Sequence, residues 1–154
     1  MSESVKIKLF SGTFFPTIGG AEAVVLNQIK FLLKQDVELE VILPRRSKNI
    51  IEQTFPKEKR KFKYFYANRI IRSALHQPNM LGKIVAYFYR RIFKLDDADL
   101  VIYHDCIFSG LIALKCNMEN SLIYFHGSDI LCKPEDNYGA RLNKKYEKSL
   151  QDTL

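Results

Sequence analysis

No run in this 154-residue chain approaches the ~20 consecutive apolar residues that a membrane-spanning helix needs. The N-terminus, Met1-Ser2-Glu3-Ser4, lacks the basic and apolar parts of a signal peptide, which points to a cytoplasmic protein. The three cysteines, Cys106, Cys116 and Cys132, and the three histidines, His76, His104 and His126, show no ligand spacing, which argues against a metal site. An odd cysteine count without a leader suggests reduced thiols, with Cys106 and Cys116 in or beside an apolar helix and in the core. There is no Gly-x-Gly-x-x-Gly after the first strand, no P-loop and no Gly-x-Ser-x-Gly elbow, so three common nucleotide and hydrolase signatures are missing. Internal repeats and low-complexity segments are absent too.

What is present is ordinary in amount and uneven in placement. Hydrophobic residues make up 47% and charged residues 27%, enough for one domain with a real core. The net charge of +7 is regional. From Arg45 to Lys94 there are fourteen Lys or Arg and two acids, a net +12, whereas the remainder has ten bases and fifteen acids, a net −5. A patch of that kind suits an anionic partner. Its interleaved aromatics, Lys61 to Tyr66, could suggest nucleic acid, but strand alternation accounts for them and no recognisable binding module surrounds them.

Strand and helix periods alternate along the chain. Val5 to Phe10 alternates apolar residues with Lys6 and Lys8 and predicts a strand that is not fully central. Ala21 to Lys34 predicts a helix, with Val25, Ile29, Leu32 and Leu33 on one stripe and Gln28 largely off it. Val37 to Leu43 predicts a second strand stopped at Pro44, followed by an exposed connection with a short helix at Asn49 to Gln53. Further strands are predicted at Lys61–Tyr66, Ala98–Tyr103 and Ser121–Phe125, and further helices after Pro78, at Cys106–Lys115 and at Tyr138–Leu150. In the helix after Pro78, Leu81, Ile84, Val85, Phe88 and Ile92 form an apolar stripe opposite a basic, aromatic face. Such a helix either packs on the protein or lies on an anionic membrane; packing is the commoner case. The fold class is α/β: a Rossmann-like, mainly parallel sheet of about five or six strands flanked by helices.

In such a sheet, ligands bind beyond the carboxyl ends of the strands. Three loops qualify: Ser11–Gly20, His104–Asp105 and His126-Gly127-Ser128-Asp129. The first pairs Gly19 with Gly20 just before a helix, where backbone N–H groups can face an anion with no Cβ in the way. A lone histidine at a strand end is more often structural. Two at successive strand ends beside a glycine loop favour a site, because imidazole hydrogen-bonds hydroxyls and phosphates and can carry charge near neutral pH.

These residues carry a resemblance. Phe15-Pro16-x-x-Gly19-Gly20-Ala21-Glu22, Asp99-Leu100-Val101-Ile102-Tyr103-His104-Asp105 and Leu122-Ile123-Tyr124-Phe125-His126-Gly127-Ser128-Asp129, in that order, resemble the N-terminal domain of a GT-B-fold, family 4-type glycosyltransferase. The resemblance covers most of residues 5–130. It implies the acceptor-binding half of a retaining, sugar-nucleotide-dependent enzyme of cell-surface polysaccharide or glycolipid synthesis, with no metal and no cofactor. It places Gly19 and Gly20 near the donor diphosphate and the acceptor. His126 falls beside the donor sugar as the catalytic residue, with Gly127, Ser128 and Asp129 binding substrate in the same motif, and His104 and Asp105 line the acceptor side. The partners implied are a sugar-nucleotide donor and a glycan or lipid-linked acceptor. Residues 45–94 would meet an anionic membrane or a phosphate-bearing acceptor, the first making the protein peripheral on the membrane's inner face.

The sequence departs from the family in two places. Lys34-Gln35-Asp36-Val37 stands where the family has a glycine turn, and the chain ends at Leu154 with no donor-binding domain. The expectation is one incomplete N-terminal domain over residues 1–154, inactive alone: a truncated product, a fragment or half of a split enzyme. The alternative is a non-catalytic α/β binding subunit that pairs with a separate donor-domain chain.

Overall fold

The computed structural model describes residues 4–12, 19–77, 80–105, 107–126 and 148. Strand β1 (Val5–Ser11) leads to α1 (Gly20–Leu32), β2 (Val37–Pro44), α2 (Lys48–Thr54), β3 (Phe62–Phe65), α3 (Arg69–Leu75) and α4 (Met80–Ile92). Then come β4 (Leu100–His104), α5 (Ser109–Lys115) and β5 (Ser121–Tyr124). The five strands form one parallel sheet in the order β3-β2-β1-β4-β5. The α/β, Rossmann-like class is therefore as the sequence predicts. Of the helix expected at Tyr138–Leu150 only Lys148, which is helical, is among the described residues, and the thiols Cys106 and Cys132 lie outside them.

Successive side chains of a strand point to opposite faces, so each apolar run feeds two cores. On one face Phe10, Ile42, Val101 and Tyr103 pack with Leu75, Ala86, Tyr89, Phe93 and Ile112 from the α3, α4 and α5 side. On the other Ile7, Leu9, Leu39, Val41, Leu43 and Ile102 meet Val25 and Ile29 of α1 and Ile51 of α2. Cys116, at the end of α5, is half-buried and packs against the first of these cores.

Two expectations are corrected. Strand β1 is the central strand, despite its lysines. Lys8 is buried there because its ammonium finds three oxygens: the carbonyls of Phe93 at 2.6 Å and Lys94 at 3.0 Å, and the Glu40 carboxylate at 3.2 Å. A buried cation is tolerated when so paired. The second correction concerns α4. Of the expected stripe only Val85 packs against the core; Leu81, Ile84, Phe88 and Ile92 do not pack inward and are 47%, 56%, 60% and 54% exposed. The buried face is Gly82, Ala86 and Tyr89. Its small residues bring the helix close: a Cβ on Gly82 would stand 3.0 Å from the Leu75 carbonyl. Tyr89 inserts its ring among Phe10, Phe65, Phe93 and Phe108 and donates its hydroxyl to the Tyr66 carbonyl at 2.5 Å. Helix α3, unforeseen in the sequence, is seven residues long and is capped by the Asn68 side-chain oxygen, which accepts from the Ile71 N–H.

Candidate active site

The strand order reverses between β1 and β4, since β2 and β3 lie on one side and β5 on the other. At such a switch point the loops after the two strands diverge and leave a crevice beyond their carboxyl ends. Register sets Ser11 of β1 beside His104 of β4, and His104 beside Tyr124 of β5. The ends of all three strands thus converge.

His104 is fully buried at this point. Its ring lies nearly parallel to those of Tyr124, at 5.1 Å between centroids, and His126, at 5.4 Å. Its Nδ1 lies 3.3 Å from Nε2 of His126, and its Nε2 makes a short hydrogen bond with Oε1 of Gln28 on α1. Burial, and secondarily the neighbouring His126, lowers its pKa to about 4, so His104 is neutral near pH 7. With the Gln28 oxygen toward the ring, the His104 proton sits on Nε2. Its Nδ1 is then an acceptor, and His126 donates to it from Nε2. The chain Gln28–His104–His126 fixes the tautomer and plane of the half-buried outer histidine.

Asp105 follows at φ 86°, in the left-handed region that side chains rarely adopt. Its buried carboxylate holds this conformation by accepting four hydrogen bonds. Oδ1 accepts from the N–H groups of Phe108 at 2.6 Å and Ser109 at 3.2 Å. Oδ2 accepts from the Gly12 N–H at 2.8 Å and from the Ser109 hydroxyl at 3.1 Å. Gly12 is glycine for a spatial reason: a Cβ there would stand 2.5 Å from Oδ2 of Asp105 and 2.7 Å from Cβ of Phe108. Its carbonyl accepts from Nη2 of Arg72 at 3.3 Å. Gly19 and Gly20 open α1; Gly20 has nothing within 4 Å of where a Cβ would be, while the Gly19 N–H donates to the Glu22 carboxylate at 3.0 Å.

The family model described as Glycosyltransferase Family 4 matches residues 18–153. The chain belongs to that family. No curated protein and no solved structure matched at a significant level. Of the residues to which the sequence assigns roles in this glycosyltransferase domain, the fold brings His104, Asp105 and His126 to one point, with Gly19 and Gly20 at the start of the helix that supplies Gln28. Gly127, Ser128 and Asp129 lie outside the described residues. The Asp105 carboxylate is turned inward, binding backbone. Gln28, Gly12 and Ser109 were missed. Gln28 stands in the sequence as a polar residue beside the apolar stripe of α1, and Gly12 lies within the Ser11–Gly20 loop. Among the described residues no group of three or more His, Cys, Asp or Glu could hold a metal ion, and no helix is long and apolar enough to cross a membrane.

Proposed function

We propose that this glycosyltransferase domain is the acceptor-binding half of a retaining, sugar-nucleotide-dependent enzyme that builds a cell-surface polysaccharide or glycolipid. The observation that carries the reading is the outer histidine, His126, braced by a neutral His104 and Gln28 at the switch point of the sheet. In the transfer, the bond from the sugar C1 to the donor phosphate oxygen breaks as the bond from C1 to an acceptor oxygen forms on the same face. The acceptor hydroxyl proton passes to the departing phosphate. His126, held in one orientation, hydrogen-bonds the donor sugar or its phosphate as charge develops there. Positioning and electrostatic stabilisation then supply most of the acceleration. Gly20 leaves room at the start of α1 for the diphosphate, which completes its site on a donor-binding unit outside these residues, while the Gly19 N–H is taken by the Glu22 carboxylate.

The outward stripe of α4 and the basic segment 45–94 support a membrane-facing acceptor. Leu81, Ile84, Phe88 and Ile92 are exposed together, with Lys83 and Arg91 on the same helix. An amphipathic basic helix of this kind lies in the interface of an anionic bilayer.

The test is transfer of labelled sugar from a panel of sugar nucleotides to lipid-linked acceptors, with and without an added family 4 donor-binding domain. Transfer is expected only with that domain, with retained anomeric configuration, and lost about a hundredfold or more in His126→Ala. Transfer by the chain alone would overturn the half-enzyme reading, an inverted product the retaining one, and a fully active His126→Ala the site.

A further inference from the structure

A cleft of about 920 Å³ opens beyond the carboxyl ends of β2 and β3, one loop away from the histidines. Its walls are Arg45 and Arg46, which follow β2; Tyr66 and Asn68, which follow β3; and Arg69 and Arg72 on α3. Arg69 and Arg72 are three residues apart and so share a helix face. Four guanidinium groups therefore converge, and among the described residues no carboxylate lines the cleft. None of the four forms an ion pair with another described residue, although Lys6, Lys8, Lys48 and Arg90 all do. Arg45 lies over the Tyr66 ring at 5.1 Å. Arg72 lies over Phe108 at 5.7 Å and spends one N–H on the Gly12 carbonyl.

Unpaired like charges gathered in a concavity repel one another and raise the local potential for an anion. The guanidinium fork matches a phosphoryl group by paired N–H donors, which a lysine cluster would not do. We propose that this cleft binds a phosphomonoester or diphosphate group carried by the acceptor. Arg72 ties the cleft to Gly12, and through it to Asp105 at the end of β4, so a phosphate held here is anchored one loop from His104. The position beside β2 and β3 sets it apart from a donor diphosphate at Gly19 and Gly20. Assigning the phosphate to the acceptor rests on the function proposed above; phosphate binding by the cleft does not.

The probe is inorganic pyrophosphate, titrated calorimetrically into the protein at low ionic strength without any sugar nucleotide. The expected result is saturable one-to-one binding that weakens about tenfold or more in Arg46→Gln/Arg69→Gln. Both side chains are exposed and neither makes a hydrogen bond or ion pair with another described residue, so that variant is expected to stay folded. Lys57→Gln/Lys59→Gln removes the same charge from the same basic segment outside the cleft and is expected to weaken binding less than about threefold. Equal weakening by the two pairs, or no saturable binding, overturns the site. Vesicles containing phosphatidic acid, against vesicles of equal charge from phosphatidylserine, then distinguish the sources. A preference for the phosphomonoester that Arg46→Gln/Arg69→Gln abolishes marks a lipid-borne phosphate. Pyrophosphate binding without that preference marks a soluble one. Pyrophosphate binding together with a failed sugar-transfer assay would keep the cleft and remove its assignment to an acceptor.

Discussion

The Asp105 carboxylate and the Gly12 N–H, 93 residues apart in the chain, meet at 2.8 Å across the ends of β4 and β1. That bond joins the two loops that flank the switch point, and it leaves no room for a side chain at Gly12. Gly12→Ala is therefore expected to destabilise the fold by about 1 to 3 kcal/mol through overpacking. Gly20→Ala adds its methyl group to open space on a helix and should be neutral or stabilising, by no more than about 1 kcal/mol. Urea unfolding of the two variants, side by side, checks the contrast.

Asp105→Ala removes the acceptor of three backbone N–H groups while leaving a side chain at φ 86°. A loss of at least about 2 kcal/mol is expected, because each buried donor left unpaired costs on the order of 1 kcal/mol or more. Asp105→Asn keeps one acceptor oxygen and a residue type that tolerates positive φ, so it should lose less. The order wild type, Asn, Ala in thermal midpoint is the outcome to look for. The reverse order would mean that the carboxylate is not what holds the turn.

The sheet was legible in the sequence because its signal is local. Runs such as Val37–Leu43 carry period-two apolar residues bounded by turn signals, and that pattern fixes a strand whatever surrounds it. Strand position was not legible. Lys8 reads as a surface residue until β4 and the Leu95–Asp97 turn bring the Phe93 and Lys94 carbonyls to it. The inward face of α4 was misread for a related reason. Its stripe is the more apolar face, but Gly82 and Ala86 permit the closest approach and Tyr89 supplies the ring that fills the core. At the site, His104 and His126 were found because histidines at strand ends stand out. Gln28 was not, since only tertiary structure brings α1 against β4. The arginine cleft was visible merely as regional charge; the convergence of Arg45, Arg46, Arg69 and Arg72 depends on how α3 sits beyond β3.

His104 predicts a pH dependence of stability. Its pKa is about 4 when folded against an ordinary value of 6.5, so between those limits the unfolded chain binds the extra proton. Stability from this group is complete above about pH 6.5, falls as pH drops, and levels off near pH 4. The loss is at most on the order of 3 to 4 kcal/mol, from about 1.4 kcal/mol per pH unit over the window between the two values. His104→Asn should flatten that slope in denaturant titrations across this window. Gln28→Glu places a carboxylate against Nε2, raises the folded pKa and should shift the decline to lower amplitude. A His104→Asn variant with the wild-type slope would assign the dependence to another group.

The α4 stripe predicts membrane binding that can be separated from folding. Ile84 and Phe88 lie one turn apart, are 56% and 60% exposed, and stand outside the buried core. Replacing both with serine should leave urea unfolding within about 1 kcal/mol of wild type, as exposed positions do. The same double variant should weaken sedimentation with anionic vesicles about tenfold or more, since each apolar side chain transferred from water contributes on the order of 1 kcal/mol or more. Binding of the wild type should also fall with added salt, because part of the attraction is between the basic segment and the charged surface. If Ile84→Ser/Phe88→Ser binds vesicles like the wild type, the exposed stripe serves something other than a bilayer. If instead it unfolds at low urea, the stripe is covered in solution by a second copy of the chain, and the same loss of stability should then depend on protein concentration.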